Sequence, residues 1–187
     1  FFFFFKIIRP CILMEFYRIC DGEGDYALPF AVALEMIHTY SLIHDDLPCM
    51  DDDDIRRGKP SNHIVYGEDI ALLSGDALLT HAFYLASSAE NIKPEYCIKA
   101  VKELSYLAGY HGMIGGQVID LQSEGKQVPI DAIYEINALK TGALLKAAAK
   151  IGVILAGGND ETLKLADKYG EKLGLAFQIM DDILDEC

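Results

Sequence analysis

Apolar residues recur at helical spacing along most of this chain. Residues 27–47 form a long run of good helix formers. Its one proline, Pro29, stands near the start, where proline is tolerated. Pro48 disfavours helical geometry at Leu47, so this helix is expected to end or kink there. The same periodicity predicts helices over 69–88, 94–113, 129–156 and 159–184, with Pro94 and Pro129 at first-turn positions. Gly58 with Pro60, Asn91 with Pro94, Gly115 with Gly116, and the glycines at 157–158 supply the breaks. No alternation is long enough to build a sheet, no segment repeats and no linker divides the chain. The expectation is one all-α domain over 1–187.

Composition adds limits. The chain has 187 residues, 51% of them apolar, enough for one sizeable core. Sixteen basic residues against 29 acidic ones leave a net charge of -13, which argues against a nucleic-acid partner. An anionic substrate stays compatible, because bound cations reverse the local sign. The five cysteines form no CxxC pair, so free thiols in a cytoplasmic setting are expected. No apolar run reads as a transmembrane segment, and no signal peptide is expected. Residues 1–5 are all phenylalanine and receive no function.

The candidate chemistry lies in the acidic residues. Six aspartates fall within 45–54, and Arg56 and Arg57 follow. Asp181, Asp182 and Asp185 form a second cluster. Carboxylates this crowded repel, by roughly 4 kcal/mol for two charges about 4 Å apart at an effective dielectric near 20. A shared hard cation relieves that, and Mg2+ takes one or two carboxylates plus substrate phosphates. Paired arginines suit phosphate oxygens. Asp45 and Asp51 are six apart and would diverge on an unbroken helix, whereas an interruption at Pro48 lets Asp51 return beside Asp45. Asp181 and Asp185 share a helix face, with Gln178 one turn upstream. Asp52 to Asp54 taken alone read as a solvated turn. An EF-hand fails for want of its glycine and its final glutamate.

The run 38–51, continuing through Arg56-Arg57-Gly58-Lys59-Pro60, resembles the first aspartate-rich motif of the trans-polyprenyl diphosphate synthases. It has the longer form seen in bacterial-type farnesyl diphosphate synthases. Residues 177–185 resemble the second motif. Gly115-Gly116-Gln117 through Asp120, and Lys140-Thr141-Gly142-Ala143-Leu144, are similar to further signatures in the right order. Ahead of them the family's glycine-containing GGKRxRP-like run reads Phe4-Phe5-Lys6-Ile7-Ile8-Arg9-Pro10, without the glycines. The family's helices before this run and after Asp185 would make the chain part of a longer protein.

The resemblance implies an isoprenoid-synthase-type helical bundle around a central cavity, acting as a homodimer. It implies head-to-tail condensation of an allylic diphosphate with isopentenyl diphosphate. Mg2+ would be required, three ions with substrate bound, and Mn2+ could substitute. Asp45, Asp46 and Asp51 would serve the metals on one side, and Asp181, Asp182 and Asp185 on the other. Arg56 would clamp the allylic diphosphate; Lys6, Arg9, His38 and Arg57 would contact isopentenyl diphosphate. Lys140, Thr141 and Gln178 would line the allylic diphosphate and the developing carbocation. Tyr40, with Ser41, would floor the product tunnel and favour farnesyl diphosphate. A longer-chain synthase, a terpene cyclase, a silent regulatory subunit and a Ca2+-binding module stand as alternatives. Gln117 and Asp120 are balanced between site wall and structural hydrogen bonding, and His44 reads as packing near the motif.

Overall fold

The computed structural model describes residues 7–185, and for 181, 182, 184 and 185 only the course of the helix. Lys6 lies outside the described residues. The helices are α1 (Ile8–Ile19), α2 (Leu28–Asp45), α3 (Asn62–Tyr66), α4 (Glu68–Ser87), α5 (Pro94–Ala108), α6 (Met113–Ser123), α7 (Ile130–Asn137), α8 (Ala143–Leu155) and α9 (Asp160–Asp185). A π-helical segment, Ala138–Gly142, joins α7 to α8 without a break.

The core forms where α1, α2, α5, α8 and α9 meet. Phe30, Leu34 and Ile37 of α2 are fully buried, each worth roughly 2 kcal/mol of transfer free energy. α8 is apolar nearly all round, and Ala147, Ala148, Ala149, Ile151 and Val153 lose all contact with solvent. Its exceptions are Lys146, 3.6 Å from Asp167 of α9, and Lys150, which pairs with Glu103 of α5 and, at 3.3 Å, with the same Asp167. α2 packs along α4 through a stripe of small residues, Ala71, Gly75, Ala82 and Ala86.

Three features depart from the sequence expectation. The break after α5 falls at Gly109–Gly112, and Gly115 with Gly116 lies inside α6, where Gly116 meets another backbone rather than ending a helix. Residues 55–60 form a two-stranded hairpin, β1 (Ile55–Arg56) and β2 (Lys59–Pro60), in register Arg56↔Lys59. Finally, α4 is long and apolar enough to cross a membrane by length and composition, the single such helix among the described residues. Its inner stripe packs on α2, while Leu72 and Leu73 face outward.

Candidate active site

α2 ends at Asp45, as Pro48 requires, and the chain then folds back on itself. The backbone N–H of Asp51 donates to the Asp45 carbonyl at 2.8 Å, and that of Asp52 to the Leu47 carbonyl at 3.2 Å. The interruption thus returns Asp51 to the side of Asp45. Asp52, Asp53 and Asp54 are exposed, in keeping with a solvated turn, and the Asp53 carbonyl accepts from the Ser61 hydroxyl. The hairpin follows, with Arg57 and Gly58 at φ 54 and 76. Two left-handed residues make the type I′ connection that matches strand twist.

Arg56 is engaged by two carboxylates. Its Nε lies 2.5 Å from Asp46 Oδ1, and its Nη2 lies 3.5 Å from Asp53. Asp46 is 3% exposed, so it serves here as the anchor of that arginine and not as an open metal ligand. A buried carboxylate needs such a partner.

Beneath the motif lies a cavity of about 530 Å³. α1 contributes Arg9, and α2 contributes His38, Tyr40, Ser41, His44 and Asp45. The π segment adds Lys140 and Thr141. Leu79 of α4, Met113, Val118 and Leu121 of α6, and Leu144 of α8 supply apolar wall. The π segment can approach because position 116 is glycine: a Cβ there would stand 2.3 Å from the Lys140 backbone nitrogen. Such one-turn π segments recur at functional sites. Lys140 Nζ donates to Asp120 Oδ2 at 2.7 Å, which gives Asp120 a partner role. Gln117 lines the cavity with both side-chain polar atoms buried and unpartnered among the described residues, which favours the wall reading for it.

The charges are arranged unequally. Burial pushes the Asp45 carboxyl up to about 6; Lys140 opposes this and Asp51 adds to it. Burial, then the charges of Arg9, Arg57 and Arg56, drive His38 down to about 3, so its imidazole is neutral. Arg9 holds a buried Nε with no partner among the described residues. Arg57 is exposed on the hairpin, yet its charge reaches both His38 and Glu35. Ser41 donates to the His38 carbonyl at 3.0 Å and also faces the cavity. Gln178 is half-buried on α9, which packs against the π segment. The side chains of Asp181, Asp182 and Asp185 lie outside the described ones. Sequence reasoning passed over Asp76, a wall residue on α4, whose signal was a carboxylate set in the apolar stretch after the first turn of that helix. It also passed over Glu35, one turn before His38.

Residues 5–187 match the family described as polyprenyl synthetase. The chain belongs to that family. It is 47% identical over 182 residues to a geranylgeranyl diphosphate synthase from Cyanophora paradoxa, covering 96% of this chain and 61% of that protein. To a farnesyl diphosphate synthase from Geobacillus stearothermophilus it is 45% identical over 182 residues, with the same coverage of 96% and 61%. The crystal structure of an FPP/GFPP synthase from Zymomonas mobilis superposes with a TM-score of 0.92 at 39% identity, over 96% of this chain and 66% of that one. The architecture is the helical isoprenoid-synthase fold.

Among the described residues, no three His, Cys, Asp or Glu side chains converge as a self-sufficient metal site. Asp45, a hard oxygen donor, lines the cavity with Lys140 and Arg9, and Asp51 is folded back close enough for its charge to act on Asp45. The two carboxylates fit Mg2+, which keeps most of its shell for water and substrate phosphate.

Proposed function

We propose that the protein is a prenyltransferase that condenses dimethylallyl or geranyl diphosphate with isopentenyl diphosphate, with farnesyl diphosphate as its main product. The observation that carries this reading is the return of Asp51 to Asp45 at the mouth of a cavity walled by Arg9, His38, Lys140 and Thr141. The allylic C–O bond breaks with its electron pair leaving on diphosphate. The isopentenyl double bond attacks the cation, a C–C bond forms, and the proton lost passes to the released diphosphate.

Bound Mg2+ would supply charge stabilisation to the leaving diphosphate, held by Asp45 and Asp51 and, from α9, by Asp181, Asp182 and Asp185. Lys140 adds a positive charge where the negative charge grows, an interaction stronger in the transition state than before it. Arg56 would keep its Nε on Asp46 and offer its remaining N–H groups to the allylic diphosphate. Arg9, Arg57, His38 and, beyond the described residues, Lys6 would bind isopentenyl diphosphate. Neutral His38 donates one N–H to it without adding charge. The Thr141 and Gln178 oxygens face the cation, and positioning supplies much of the rate.

Tyr40 supports farnesyl length. It is 5% exposed, it lines the cavity, and its hydroxyl is pushed up to about 12 by burial and then by Asp45. A geranylgeranyl product is the second reading, favoured by relatives such as the Cyanophora protein that bear that name. The outward apolar side chains Leu72 and Leu73 of α4 suit a homodimer. The free thiols of Cys11, Cys20, Cys49 and Cys97 suit a reducing, cytoplasmic compartment. The test is the full-length protein with Mg2+, isopentenyl diphosphate and labelled geranyl diphosphate. Farnesyl diphosphate is expected and should give way to longer products in Tyr40→Ala; no transfer at all refutes the reading.

A further inference from the structure

His44 lines the cavity beside Tyr40. His44 stands one helical turn after Tyr40 on α2, and the two rings meet edge to face, centroids 5.6 Å apart at 78°. The other side of the imidazole is held by α4. His44 Nε2 lies 3.0 Å from the Leu72 carbonyl, which can only accept, so Nε2 carries the proton and donates. The ring fits a notch left by Gly75. A Cβ at that position would stand 2.0 Å from His44 Nε2 and 2.3 Å from its Cδ2. Tyr40, by contrast, has no polar anchor of its own, because its buried hydroxyl has no hydrogen-bond partner among the described residues.

We propose that His44 is a positioning residue for product length: locked into the Gly75 notch of α4, it holds the Tyr40 ring in the cavity wall. The inference rests on the reading that Tyr40 limits the product. Tyr40 is the barrier, and the α4 backbone, acting through His44, decides where the barrier stands. Histidine suits the task because a rigid ring both donates to a carbonyl and presents a flat edge. A flexible side chain of similar polarity does the first without the second.

The experiment uses the full-length protein and reads the ratio of geranylgeranyl to farnesyl diphosphate. His44→Ala is expected to raise that ratio on the order of tenfold, the scale of discrimination a short length of apolar pocket supplies. Gly75→Ala, which evicts the imidazole from the α4 side, should raise it similarly. The double variant should match His44→Ala alone, since the methyl then has nothing to displace. Two independent additive shifts overturn the proposal. A crystal structure of His44→Ala separates the two layers of argument. A displaced Tyr40 ring supports the positioning role, and a ring in its original place overturns it whatever the products are. An unchanged product spectrum in Tyr40→Ala defeats the farnesyl-length reading instead.

Discussion

The cavity is bordered by two departures from regular helix, and they are made in different ways. At the end of α2 the chain stops at Asp45 because Pro48 forbids its continuation, and the turn is closed by local backbone bonds such as Asp51 N–H to Asp45 C=O. Between α7 and α8 the helix never stops; it widens into the π segment Ala138–Gly142 while remaining continuous. That second irregularity contains no proline, and it is braced from outside, by the glycine face of α6 at 116. One break is written in the local sequence and the other is imposed by a neighbouring helix. The first folds Asp51 back onto Asp45, which lines the hollow that the second supplies with Lys140 and Thr141.

Four perturbations separate the two. Asp45→Ala should have the largest effect, lowering Mg2+-dependent turnover by roughly a thousandfold while far-UV circular dichroism stays unchanged. Near-normal turnover would remove the first break from the chemistry. Gly116→Val comes next. It should destabilise by about 1–3 kcal/mol through overpacking, read as a lower Tm, and reduce kcat as the Lys140 backbone is pushed away. Unaltered stability would mean that α6 does not brace the π segment. Pro48→Ala should cost less, about fivefold in kcat/KM, as α2 gains freedom to run past Asp45 and misplace Asp51.

The smallest effect concerns His38, on the regular part of α2 ahead of both breaks. Its folded pKa of about 3 lies below the ordinary value of 6.5. Between those values the unfolded chain binds a proton that the native state refuses, so this group makes stability rise with pH across that window. His38→Asn should flatten that rise in denaturation curves taken from pH 4 to pH 7, and an unchanged slope would show that His38 titrates normally.

The proline-governed region was legible beforehand. The end of α2, the solvated turn at Asp52 to Asp54 and the meeting of Asp45 with Asp51 all followed from Pro48 and the spacing of the aspartates. What was not legible depended on tertiary partners. Gly115-Gly116 reads as a helix stop by local rules, yet here it is the surface that lets α6 touch the π segment. The hairpin escaped notice because two-residue strands carry no alternation. The pairing of Arg56 with Asp46, ten residues earlier in the chain, carried no local signal.

Arg56 and Arg57 are adjacent in sequence but answer to different masters. Arg56 is moored by its side chain, and truncating it would strand the Asp46 carboxylate in the interior without a counter-charge. Arg57 is set by its backbone, at the tip of the I′ connection, where glycine or asparagine would sit with less strain. Its charge can therefore be deleted cleanly, leaving the hairpin intact, whereas that of its neighbour cannot. Any dissection of the charge on this rim should begin at the tip.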